Sequence, residues 1–349
     1  MPTGDQQTSS TLESAIDASS RPGLRALPGA RRMPVGTIAA GPLVLAGTDG
    51  GRYVETIARE FNLLGCENDL KMYKWHGPND IDWSGSDAVA NIARAHGMRM
   101  RGHVLVYSGQ VPAWLEQGVE SGDISSDDVR WLTRDYITTV VRRYADVIDY
   151  WDVLNEAFDD DGALKHDWWW TKLGGDAYVE TIFQWARDAD PHAELYYNDY
   201  ANDQDNVKSQ GILKFFAPLK ARGVPVDGIG FQCHFGQKQS WRPDWDSIRR
   251  NVANIAAAGF VFQVTENDAW VYNSEPDYDA QTEWYCGIVD LCLTSPNCRG
   301  YMAWGFTDAH SWLPGFLKTL DIDGGNGLLF DARYAPKPAY HAVAGVLSA

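Results

Sequence analysis

Eight short apolar runs recur along the chain, each followed by a stretch whose apolar residues return every three or four positions. The runs are Met33–Ala39, Gly65–Met72, Met98–Val106, Val147–Asn155, Glu194–Asn198, Gly228–His234, Phe260–Glu266 and Gly300–Gly305. They are rich in β-branched and aromatic residues, which suits strands buried on both faces. The stretches between them predict helices over Tyr53–Leu63, Ser86–His96, Asp127–Tyr144, Tyr178–Asp188, Asp205–Arg222, Trp245–Ala258, Asp279–Leu293 and Pro338–Leu347. In Ser86–His96, Val89, Ile92 and Ala93 share one face; in Asp127–Tyr144, Val129, Leu132, Tyr136, Val140 and Val141 do. Strand-then-helix repeated eight times predicts an α/β fold, a single (β/α)8 barrel of the TIM type. Neither a linker nor a change of composition interrupts it, so one catalytic domain is expected over residues 24–349. Residues 1–23 are polar and Ser-rich and read as a flexible tail.

Composition narrows the partners. Hydrophobic residues make up 44% of 349, enough for a full core, and the net charge of −17 leaves no phosphate-neutralising surface, so nucleic acid is not an expected partner. No run approaches about 20 apolar residues, so no membrane span is expected. The first residues carry no basic start and no apolar run, which leaves either a cytoplasmic protein or a secreted one whose leader is not in this sequence. Five cysteines (Cys66, Cys233, Cys286, Cys292, Cys298) are not a disulfide framework; Cys292 and Cys298 flank a Ser-Pro-Asn turn and either bridge or stay free. Fifteen tryptophans are unusual. Most fill core, but Trp168, Trp169, Trp170, Trp241, Trp245 and Trp270 fall in expected loops, where stacking on sugar rings competes with packing.

The barrel says where chemistry belongs: at the C-terminal ends of strands. His103, Asn155, Glu156, Gln232, His234, Glu266 and Trp304 all fall there. Two of them, Glu156 in Trp-Asp-Val-Leu-Asn-Glu-Ala and Glu266 in Val-Thr-Glu-Asn-Asp, are carboxylates in matched settings. A glycosidic oxygen leaves poorly without a proton, and an anomeric carbon needs an attacking group, so glycoside hydrolysis requires such a pair. Glu156 suits the acid and Glu266 the ionised nucleophile, with His234 a donor to Glu266 and Asp268 orienting His234. Asn155 either donates to a sugar hydroxyl or helps cap the next helix, and His103 is either structural or a sugar contact. Other chemistries find no support: His192 and His310 stand alone without metal-ligand spacing, and neither a Walker loop nor a Gly-x-Ser-x-Gly elbow is present. Neither a cofactor nor a metal is implied.

Several spaced motifs carry a resemblance. They are Glu67-Asn68-x-x-Lys71, Arg101-Gly102-His103, Trp151 to Ala157, Tyr197-Asn198-Asp199-Tyr200, Gly228 to His234, Thr265-Glu266-x-Asp268, Trp304 to Asp308, Ser311-Trp312 and Pro336 to Tyr340. In this order they resemble glycoside hydrolase family 10, the endo-β-1,4-xylanase family, from about Leu24 to Val346. The resemblance implies a retaining double displacement, with Glu156 as acid/base and Glu266 as nucleophile about 5–5.5 Å apart. It implies that Asn155, His103, Gln232 and His234 surround the sugar in subsite −1. Glu67, Asn68 and Lys71 would contact the sugar in −2, with Trp304 as floor and Trp312 as lid. Tyr107 and Gln110 join the substrate-binding set. The substrate is then a β-linked oligo- or polysaccharide, acted on by a monomer, and Cys292–Cys298 matches a disulfide found in many members.

The chain departs from the family in three places. Leu105-Val106-Tyr107-Ser108 stands where Leu-Val-Trp-His is usual, Met72 follows Lys71 in place of Trp, and Cys66 precedes Glu67 in place of Pro. These changes leave the two glutamates intact but admit a second substrate: a plant metabolite glycoside, as for tomatinase-like enzymes of this fold. A non-catalytic carbohydrate-binding barrel is the remaining alternative.

Overall fold

The structure, a computed structural model, describes residues 21–349. Residues 1–20, most of the expected tail, lie outside it. Eight parallel strands close into a barrel: β1 (Val35–Ala39), β2 (Leu63–Cys66), β3 (Arg99–Tyr107), β4 (Ile148–Asn155), β5 (Glu194–Asp199), β6 (Gly228–Phe231), β7 (Val261–Tyr272) and β8 (Cys298–Ala303). Each pairs with the next, and β1 pairs with both β2 (Thr37↔Leu64) and β8 (Thr37↔Ala303), which shuts the ring. The main helices are α1 (Arg52–Glu60), α2 (Ser84–Ala95), α3 (Ser126–Arg143), α4 (Ala177–Ala189), α5 (Val207–Ala221), α6 (Trp245–Ala257), α7 (Tyr278–Thr294) and α8 (Pro338–Ser348). Their apolar faces pack on the outside of the sheet, giving one continuous core. Side-chain caps define several starts: reciprocal capping boxes at Ser125/Asp128 for α3 and Asn206/Ser209 for α5, and single caps from Asp244 for α6 and Asp277 for α7.

The predicted elements are present, but several boundaries move for local reasons. The helix expected to reach Leu63 stops at Glu60, because Phe61 turns extended and Asn62 leads directly into β2 at Leu63. The Asn62 side chain accepts from the Val35 amide at 2.8 Å and donates to the Ala30 carbonyl at 2.9 Å. β2 ends at Cys66, so Glu67–Lys71 is loop. The sixth strand breaks at Cys233, whose φ of 55° interrupts it, and resumes as a short strand at His234–Gly236. The seventh runs on to Tyr272, because residues past Glu266 find new partners: Asp268 pairs with His234, and Val271 with Gly325.

The barrel interior is part apolar, part ionic. Ile38, Leu63, Met302 and Trp304 form an apolar cluster inside it. Arg101, 2% exposed, points into the same space and pairs with Asp152 through two contacts, one of them Nε to Oδ2 at 3.2 Å. The guanidinium also donates to Gln263 and lies 4.7 Å from the Tyr196 ring centroid. Gly102, next in line, is required by close approach: a Cβ there would meet the Trp151 ring at 2.2 Å. A buried charge persists only when paired, so removing one partner leaves the other stranded. Arg101→Met is therefore expected to lower stability by about 3–5 kcal/mol, read from urea unfolding. A midpoint within error of the parent would mean that the buried Arg101–Asp152 pair makes no net contribution to folding.

Two expected loop placements are corrected: Trp168–Trp170 open a short helix (Trp168–Leu173), and Trp270 lies fully buried in β7; Trp245 opens α6, as the predicted helix over Trp245–Ala258 has it. Trp241 packs edge-on against Trp270 at 5.7 Å. Trp169 and Trp270 are fully buried and serve packing, whereas Trp168, Trp170, Trp241 and Trp245 are half-buried. Cys292 and Cys298 lie beside each other as free thiols, not as the implied disulfide. Among the described residues, no helix is long and apolar enough to cross a membrane.

Candidate active site

Glu156 stands one residue past β4 with φ 55°, a left-handed conformation uncommon outside glycine. Its amide donates to the Asn198 carbonyl at 3.0 Å, which ties this turn to β5. Both carboxyl oxygens have protein donors. The Tyr107 hydroxyl donates to Oε2 at 2.9 Å and Gln232 Nε2 to Oε1 at 2.9 Å. Asn155, fully buried just before it, accepts from Asn198 Nδ2 at 2.9 Å through Oδ1. That leaves the Asn155 amide hydrogens to act as donors.

Glu266 differs in every respect. It is 5% exposed, inside β7, and its Oε1 accepts from Asn198 Nδ2 at 2.7 Å. His234 Nε2 lies 3.4 Å from Oε2, and His103 Nδ1 lies 3.9 Å from Oε1. Burial pushes this carboxyl up, but the His234 contact, His103 and the Lys71 charge together outweigh it and hold the group at about 2. His234 is the mirror case: burial pulls it down, while the Asp268 charge and hydrogen bond, with Glu266, push it up to about 10. Its Nδ1 meets Asp268 Oδ2 at 3.0 Å, and Trp312 Nε1 donates to the same oxygen at 2.9 Å. His103 is oriented from below by Asp152, 2.9 Å from its Nδ1. Thus the Arg101–Asp152 pair of the barrel core continues through His103 to the edge of Glu266.

The remaining expected residues surround this centre. Lys71 Nζ donates to Asn68 Oδ1 at 2.9 Å and lies 5.9 Å from the Trp304 ring centroid. The Trp304 ring meets His103 edge-on at 5.2 Å. Burial raises the pKa of Glu67, with Lys71 opposing. Gln110 follows in the loop after β3, its Oε1 buried without a partner among the described residues. Among those residues, no three His, Cys, Asp or Glu side chains converge to hold a metal.

Asn198 is the group sequence reasoning left without a role. Its amide spans Glu266 and Asn155, and its Oδ1 accepts from Thr265 Oγ at 2.7 Å. The register pairs it with Asn155, so an Asn closing the fifth strand beside one closing the fourth was the available signal. Gly230 gives it room: a Cβ there would sit 2.3 Å from Asn198 Oδ1. Trp169 was also missed in this capacity. Its Nε1 donates to the carbonyls of Tyr107 (3.1 Å) and Gln110 (2.9 Å), bracing the end of β3 and the loop after it.

This geometry has close relatives. The family model described as glycosyl hydrolase family 10 matches residues 27–346. Endo-1,4-beta-xylanase B of Thermotoga neapolitana is 34% identical over 299 residues, covering 84% of this chain and 83% of the relative. Endo-1,4-beta-xylanase C of Phanerodontia chrysosporium is 31% identical, covering 89% of this chain and 78% of the relative. Native xylanase 10B of Thermotoga maritima superposes with a TM-score of 0.84 at 34% identity, over 93% of this chain and 98% of that one. The Thermotoga petrophila xylanase 10B solved with xylobiose gives the same TM-score of 0.84 at 34% identity, over 93% and 97%. With a closed parallel barrel, two carboxylates at its rim in opposed electrostatic settings, and a family match over nearly its whole length, this chain belongs to glycosyl hydrolase family 10.

Proposed function

We propose that this protein cleaves β-1,4-xylosidic bonds in xylan or xylo-oligosaccharides by double displacement. The observation that carries the reading is the contrast between the two glutamates. Glu266 is buried against imidazoles and an amide that favour its anion. Glu156 is part exposed, and its carboxyl oxygens are contacted only by the neutral donors Tyr107 and Gln232. In this mechanism Glu266 attacks the anomeric carbon while Glu156 protonates the leaving oxygen. Glu156, now ionised, draws a proton from water that hydrolyses the glycosyl-enzyme ester, restoring both groups. Asn155 donates to the hydroxyl beside the reacting carbon, a bond that strengthens as positive charge grows on the ring. His103 and His234 line the same sugar, Glu67, Asn68 and Lys71 hold the next one, and Trp304 and Trp312 cover them. Gln110 borders the cleft from the loop after β3.

Tyr107 and Ser108, where the family usually has Trp and His, favour weighing a second substrate, an oligosaccharide joined to a plant metabolite. Reducing-sugar release from xylan, xylo-oligosaccharides and saponins decides between them. Xylan cleavage giving the β-anomer first by NMR is the expected result. Saponin turnover with none on xylan would replace the substrate, and α-anomer first would replace the mechanism.

A further inference from the structure

We propose that the Tyr107 hydroxyl seats the working proton of Glu156 on Oε2 and sets the pH at which Glu156 gives it up. The proposal rests on the reading of Glu156 as acid/base.

The two donors on that carboxyl are not equivalent. Gln232 Nε2, 2.9 Å from Oε1, can only donate. The Tyr107 hydroxyl, 2.9 Å from Oε2, can donate to a carboxylate or accept from a carboxylic acid. Oε2 is therefore the oxygen whose partner tolerates both protonation states, and Oε1 is held as an acceptor throughout. Tyrosine is special here: a tryptophan at this position, usual in the family, brings an N–H that only donates. The phenol keeps its own proton across the working range, since burial and the neighbouring charges of Glu156, Glu266 and Asp199 push its pKa up.

Tyr107 is also held for this task. Trp169 Nε1 donates to its carbonyl at 3.1 Å. Ser108 Oγ donates to Asp167 Oδ2 at 2.6 Å, and Asp167 caps the Trp168–Leu173 helix by accepting from the Trp170 amide at 2.8 Å. The departures Tyr107 and Ser108 thus form one unit with the Trp-rich helix. Charged groups on the packed elements near Glu156 are Glu266 of β7 and, from β5, Asp199, which lies 2.9 Å from Lys208 Nζ. Tyr200 follows β5, and Lys165 Nζ donates to the Glu156 carbonyl at 2.9 Å. None of these touches the Glu156 carboxyl oxygens; Tyr107 and Gln232 do.

The test is the pH profile of kcat/KM on a xylo-oligosaccharide, whose sugar leaving group needs the proton from Glu156. Tyr107→Phe removes both contacts, and the bond donated to the charged carboxylate is the stronger of the two, so the alkaline limb is expected to move up by about one pH unit, with the acid limb unmoved. Placing 3-fluorotyrosine at 107, a stronger donor of nearly the same shape, is expected to move the limb down and needs no repacking. An alkaline limb at the parent's pH in both proteins, or a uniform fall in rate at every pH, overturns the proposal. Azide rescue of Glu156→Ala reports on Glu156 separately. Rescue with an unmoved limb condemns the role of Tyr107 alone, whereas loss of rescue condemns both.

Discussion

Glu266→Ala is expected to lower turnover by roughly 10⁴-fold or more while leaving oligosaccharide binding near the parent level. The reason lies in the asymmetry of its surroundings. Asn198, His234 and His103 stay in place when the carboxylate goes, because Asp268 and Trp312 hold His234, Asp152 holds His103, and Asn155 and Thr265 hold Asn198. The cleft keeps its shape, and what disappears is the carboxylate proposed to attack the anomeric carbon. Calorimetry with xylo-oligosaccharide and steady-state kinetics separate the two. Turnover within about tenfold of the parent would reject Glu266 as nucleophile. A pH consequence accompanies it. The folded carboxyl titrates at about 2, below its ordinary 4.5, so the nucleophile is ionised throughout mildly acidic conditions. The acid limb of kcat/KM is then expected well below pH 4.5. The sign for stability agrees: a depressed folded pKa contributes stability above the unfolded value, and that contribution is lost as pH falls through the folded one.

Glu156→Ala is expected to divide substrates by their leaving groups. A nitrophenolate departs without help, so the first step survives for aryl glycosides, whereas xylo-oligosaccharides lose about 10²–10⁴-fold. The second step also loses its base, so the glycosyl-enzyme accumulates and a burst of nitrophenol is followed by slow turnover. Azide is small and needs no deprotonation, so it enters the space left by the side chain and restores turnover, forming the β-glycosyl azide. Tyr107 and Gln232 remain as donors facing that space. Equal losses on aryl and sugar leaving groups, with no azide product, would remove Glu156 from the proton-transfer step.

Much of this was readable before any coordinates. Eight apolar runs alternating with helical stretches specified the barrel, because each element's periodicity is a local property of its own residues. Placing Asn155, Glu156 and Gln232 at strand ends followed from the same alternation, whereas His103 and Glu266 lie inside β3 and β7 and His234 opens a short separate strand; the family motifs named the two glutamates. Boundaries were less legible. Nothing local says that Leu63 belongs to a strand, since the Asn62 side chain that ends α1 works through bonds to Val35 and Ala30, far off in sequence. The Trp-rich segment misled for the same reason. Trp168–Trp170 have a polar, loop-like neighbourhood in sequence, and only the fold puts the Trp169 N–H under two carbonyls of another loop.

The sequence by itself determined the alternation, the closed parallel barrel it forces, and the identity of the residues at the rim. These follow from hydrophobic period and residue chemistry, which are written one position at a time. Only the tertiary structure decided how those residues share protons: the Asn198 amide spanning Glu266 and Asn155, the Arg101–Asp152 pair reaching His103, and the Tyr107 hydroxyl facing Glu156. Each of these joins groups on different strands across tens of residues. A hydrogen bond needs donor and acceptor within about 3 Å, and curling eight strands into a cylinder is what brings such distant positions to that range.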